Sequence, residues 1–267
     1  MVNMSLFESE SAERQPESKK PRLAELFQSP RFGEQIARSI ARTRTDHRER
    51  TFLAAYSQKE GVLVNRPLRG KVHKARTHFL GLGREFIHAQ GTGHHLPEGF
   101  HPYLFFHTHS VESPDPSVRD LLYLYSIARQ NYLLASKESD WWLNPVGATA
   151  GRRGDMIYYQ FPAEVVAQTQ YSETILDRLG EATIEVGRRL KVKEAIEGAV
   201  ELEYTAGEIL FNIVDGQPYY EFPTFVHNHL DEVYREAEIK FERDKWTNQA
   251  DLVSQISNFD LTPDFED

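Results

Sequence analysis

From residue 34 to about residue 44, Ile36, Ala37, Ile40 and Ala41 recur at helical spacing, which predicts a helix entered from Pro30-Arg31-Phe32-Gly33. The pattern then changes period. Thr51-Phe52-Leu53-Ala54-Ala55-Tyr56-Ser57 is a compact apolar run, Gln58-Lys59-Glu60-Gly61 is turn-like, and Val62-Leu63-Val64 starts a return strand. Further strands are expected over residues 66–100, with Phe79-Leu80-Gly81-Leu82 and Phe86-Ile87-His88 as the apolar pieces and residues 91–99 as a loop. Residues 99–106 lead from a turn into an aromatic segment that reads as a buried strand. Leu121, Leu122, Leu124, Tyr125, Ile127 and Ala128 then mark a well-buried helix, with Asp115 suited to its N-cap and Pro116 to its first position.

After that helix, residues 131–136 read as a strand, residues 147–154 as a flexible basic loop carrying Arg152 and Arg153, and residues 155–161 as another strand. Farther on, residues 172–199 predict a helix, residues 208–222 a hairpin turning at Asp215-Gly216, and residues 225–246 a charged helix before an acidic tail. The first 22 residues are polar and poor in large apolar groups, so they are expected to be disordered. Three parts result: a tail over residues 1–22, a domain over residues 30–165, and a helical and hairpin C-terminal extension over residues 166–267. The fold class is α+β, a mixed sheet flanked by helices.

The chemistry sits where the aromatic strand meets the helix. Residues i and i+2 of a strand face the same way, so His107 and His109 project together. Ser117 and Asp120 lie three apart on one face of the first helical turns, and the positive end of the helix favours an ionised Asp120. Two imidazoles and one carboxylate make three ligands of a zinc site with a fourth position free for water, the pattern of a catalytic site.

His107-x-His109, seven residues, Ser117, two residues, Asp120 resembles the motif of JAMM metalloproteases, also called MPN+ or JAB, complete in residue type and spacing. Ser110 departs from the proline common after the second His in that family. The resemblance implies a sandwich-like, cytidine-deaminase-like α/β arrangement over about residues 30–165. It implies Zn2+ held by His107, His109 and Asp120, and Ser117 as oxyanion donor. It also implies a glutamate near the start of the first strand as general base. Glu49 stands there; Glu60 is the alternative, but a charged residue at a hairpin tip is usually just solvated. The implied substrates are proteins, among them ubiquitin-like conjugates cleaved at peptide or isopeptide bonds. A RadC-like protein with a DNA-associated role and a non-catalytic MPN scaffold are the other readings. His94, His95 and His101 read as loop histidines, and His227 and His229 as polar positions on a helix.

Charge and composition narrow the picture. The formal net charge of −9 argues against general nucleic-acid binding. The chain has no cysteine, so disulfides and Cys-based zinc sites are excluded. No apolar run reaches the roughly 18 residues of a membrane span, and no signal-peptide pattern opens the chain, so a cytoplasmic protein is expected.

Overall fold

The computed structural model describes residues 19–29, 31–69, 96–109, 114–116, 118–135, 139–168, 231, 234–235 and 237–265. A short helix α1 (Leu23–Leu26) precedes α2 (Arg31–Asp46). Strands β1 (Arg50–Ser57), β2 (Gly61–Val64) and β3 (Leu68–Arg69) follow, then β4 (His101–Thr108). Helix α3 (Val118–Ala135) leads to β5 (Val146–Ala150), β6 (Asp155–Gln160) and α4 (Ala163–Ala167). Strand β7 (Lys240–Lys245) and helix α5 (Gln249–Ile256) close the described part.

The seven strands form one mixed sheet in the order β2-β1-β4-β5-β6-β7, with β3 also paired to β1. Among the described strands only β4 and β5 run parallel. A parallel pair needs a long crossover, and α3 provides it. The central strands are buried on both faces, which explains their unbroken apolar runs. On one face Leu53, Phe105 and Ile157 pack with Leu121, Leu124 and Ala128 of α3. On the other, Phe52, Leu104 and Phe106 pack with Phe32, Ile36 and Ile40 of α2 and with Leu252 and Ile256 of α5. Among the described residues no helix is long and apolar enough to cross a membrane.

Several elements differ from their sequence reading. Residues 131–135 continue α3 rather than forming a strand. No glycine or proline interrupts the helix, and its buried face carries on through Asn131, whose amide donates to the carbonyls of Pro102 (2.7 Å) and Leu143 (2.8 Å). The apolar look of the run came from Leu133 and Leu134, both 48% exposed. Residues 146–150 are a central strand, not a loop. Their small side chains suit close packing: a Cβ on Gly147 would lie 2.4 Å from the Tyr159 ring. Only residues 151–154 make the turn, with Gly154 at φ 90°.

The charged segment 240–245 is a strand paired along β6, not part of a helix. It is the edge of the sheet among the described strands, where charge is favoured because it discourages pairing with other chains. The sheet therefore continues past residues 155–161 into the C-terminal region. Residues 19–22 lie against the fold: Pro21 is buried and Lys20 pairs with Asp264 at 2.5 Å. His101 opens β4 opposite Tyr56 instead of lying in a loop. The readings for residues 1–18, 71–95, 172–199 and 208–222, and for His227 and His229, lie outside the described residues.

Candidate metal centre

Strand alternation sets the site. Ala54 pairs with Leu104 and Ala55 with Pro102, so Tyr103 is the extra residue of a bulge. Beyond it the faces alternate without interruption: Phe106 and Thr108 turn towards α2, while Phe105, His107 and His109 turn towards α3. The Phe105 and His107 rings stack with centroids 5.2 Å apart. On the opposite face the Thr108 hydroxyl meets that of Thr43 at 2.7 Å and accepts from the Arg50 backbone N–H at 2.9 Å. The Arg50 guanidinium is held in turn by the Asp46 carboxylate at 2.6 Å. The far side of β4 is thereby locked to the C-terminal turn of α2.

Asp120 enters from the first turn of α3. His107 Nε2 and His109 Nε2 are 2.9 Å apart, and Asp120 Oδ2 lies 3.2 Å from the first and 3.7 Å from the second. All three residues are buried, and among the described residues they form a cluster suited to a metal ion. Ligands of a tetrahedral ion with bonds of roughly 2.0 to 2.1 Å stand about 3.3 Å apart, and the three observed separations bracket that value.

The charge states suit a divalent cation. Burial pushes the His107 imidazole below its usual pKa, against the pull of Asp120. Burial alone would push the Asp120 carboxyl up, but His107 and His109 together hold it well below its usual value. Two imidazoles and one carboxylate are a donor set that a Zn2+ site takes.

Residues of β5 and β6 orient His107. Its Nδ1 shares a hydrogen bond with the Thr149 hydroxyl (3.3 Å), which donates to the Tyr159 oxygen (3.3 Å). A proton on Nδ1 leaves the Nε2 lone pair facing the cluster, which is how outer-shell partners fix a metal ligand. Thr149 lies directly across from His107 in the β4–β5 register. This pair was missed at the level of sequence, where residues 147–154 read as a loop. The alternation Val146, Ala148, Ala150 against Gly147 and Thr149 was the available signal.

The two candidate bases are well separated. Glu49 immediately precedes Arg50, whose partner Thr108 immediately precedes His109, so its backbone stands beside the metal centre. Glu60 sits exposed in the β1–β2 turn at the other end of β1, about 20 Å or more away along the strand. His101 is likewise at the far end of β4, about 20 Å from His107. Ser117 lies outside the described residues.

Asp115, the N-cap candidate, makes contacts across the fold. The described helix begins at Val118, and the buried Asp115 carboxylate accepts from Arg243 of β7 (2.9 Å) and from the Tyr234 hydroxyl (3.2 Å). No protein-family model matches the chain, and no curated protein matches it either.

Proposed function

We propose that the protein is a zinc-dependent peptidase or isopeptidase of the JAMM type, acting on protein substrates such as ubiquitin-like conjugates. The convergence of His107, His109 and Asp120 carries this reading. The sequence motif predicts that convergence from positions on two different elements, and the mixed sheet flanked by helices is compatible with the fold the motif implies.

His107, His109 and Asp120 would hold a zinc ion, which would supply Lewis-acid activation of water and of the scissile carbonyl near neutral pH. Glu49, at the start of β1, takes the proton from the attacking water and passes it to the leaving amine. The Ser117 hydroxyl, three residues before Asp120, donates to the developing oxyanion; loss of one such donor typically costs about 100-fold to 1000-fold in rate. His107 is held by Thr149 so that its orientation does not change during turnover. Burial of the cluster keeps bulk water away and strengthens each of these interactions.

The test combines metal analysis with cleavage. The purified protein is expected to carry about one zinc per chain, and His107→Ala and Asp120→Ala to carry none. Ubiquitin-like fusions and isopeptide-linked conjugates should be cleaved by the parent and by Glu60→Gln, and not by Glu49→Gln. Bound metal with no cleavage of any peptide or isopeptide substrate defeats the proposal of a protease while leaving the metal centre in place.

A further inference from the structure

Arg243 belongs to the same cross-sheet row as the metal centre. His107 is opposite Thr149, Thr149 is opposite Ile157, and Ile157 is opposite Arg243. Directly paired residues share a face, so Arg243 stands on the α3 side of the sheet, three strands or about 14 Å from His107. From there it reaches Asp115 at 2.9 Å, in the segment joining β4 to α3.

The contact has the marks of a built clamp. Asp115 is 1% exposed, and it takes hydrogen bonds from both Arg243 and Tyr234. The guanidinium also donates through Nε to Asp231 at 3.1 Å. A carboxylate this buried is costly unless it is paired and hydrogen-bonded, and here it is both. Its neighbours Pro114 and Pro116 are buried as well. Prolines have a fixed φ and restrict the residue before them. Asp115 and Pro116 are thereby fixed just ahead of Val118, where the described helix starts. Asp120 follows in that first turn, which lacks preceding carbonyls to hold its N–H groups.

We infer that Arg243 is a positioning residue for the metal ligand Asp120, acting through Asp115, so that the C-terminal segment completes the metal centre from across the sheet. This rests on the metal-centre reading above. A metal site tolerates little displacement of a ligand, and residues that orient ligands typically contribute 10-fold to 100-fold in affinity.

The experiment uses the full chain and its Arg243→Gln, Arg243→Lys and Asp115→Asn variants. The Zn2+ dissociation constant is measured by competition with a chromophoric chelator, at a temperature where thermal unfolding shows each variant fully folded. The Co2+ absorption spectrum is recorded alongside. Arg243→Gln should bind Zn2+ about 10-fold or more weakly and show weaker tetrahedral Co2+ bands. Arg243→Lys, which keeps the charge without the fork, should fall between it and the parent. If Arg243→Gln does not fold, Arg243→Lys and Asp115→Asn decide. Variants that melt earlier but keep the parent affinity and Co2+ spectrum overturn the inference, because a purely structural pair has that signature. A parent that binds neither ion overturns the metal-centre reading, and the inference falls with it.

Discussion

The hydroxyls of Thr43 and Thr108 are 2.7 Å apart on the side of β4 that faces away from the His107, His109 and Asp120 cluster. Thr108 stands between His107 and His109, so the bond holding it to α2 also fixes how far both imidazoles project on the other side. The same hydroxyl accepts from the Arg50 N–H, next to Glu49 in the chain. One buried threonine thus ties together the end of β4, the start of β1 and the last turns of α2.

Thr108→Val keeps the shape and removes the hydroxyl, leaving the Arg50 N–H without this acceptor. An unsatisfied buried donor costs about 1 to 3 kcal/mol, and denaturant unfolding should show a loss in that range. The predicted accompaniment is weaker zinc binding measured in the folded protein.

Thr149→Val removes the partner of His107 Nδ1 while leaving all three ligands in place. Metal affinity should fall by about 10-fold to 100-fold, the range for residues that orient a ligating histidine. Chelator competition measures it, and an unchanged dissociation constant refutes the proposed role of Thr149.

Gly147→Ala introduces a Cβ that meets the Tyr159 ring at 2.4 Å. The ring and the backbone of β5 cannot both stay where they are. Overpacking of this kind costs about 1 to 3 kcal/mol, and Gly147→Ala/Tyr159→Leu should recover part of it. Equilibrium unfolding of the single and double variants gives the comparison.

Hydrogen bonding from Arg50 holds the Asp46 carboxyl well below its usual pKa, against a smaller upward push from burial. A carboxyl depressed in the folded state stabilises the fold above its unfolded value of about 3.9, and that contribution drains away as pH falls through the folded value. The parent should therefore be more stable than Asp46→Asn at pH 7, with the difference shrinking below about pH 4. Denaturation midpoints measured across that range test the sign; a difference that grows on acidification contradicts it.

Zinc should raise the stability of the folded protein by mass action, by about 2.7 kcal/mol at a free concentration 100 times the dissociation constant. The Asp120→Ala variant should show no such rise, and thermal melts with and without the ion compare the two.

Local pattern was enough for several elements. The helix over α2, the β1–β2 hairpin and the aromatic strand β4 follow from periodicity and turn residues that lie within a few positions of one another. The i, i+2 rule placed His107 and His109 on one face, and the spacing to Asp120 pointed to the third member of the buried cluster. Other parts were misread because their local signals imitate something else. Lys240-Phe241-Glu242-Arg243-Asp244-Lys245 has the charge of a solvated helix, and only pairing along β6 makes it a strand. Gly147-Ala148-Thr149-Ala150 has the small residues of a loop, whereas here they give Tyr159 room to lie across the strand.

The chain's own order of residues determined which groups can meet a metal: two imidazoles fixed by strand alternation and a carboxylate at a helix start. Tertiary structure alone decided what holds them there. Thr43 is 65 residues from Thr108, Thr149 is 42 from His107, and Arg243 is 128 from Asp115. Contacts at such separations depend on strand order and register, which come from the packing of the whole sheet between its helices and leave no periodic trace in any short stretch.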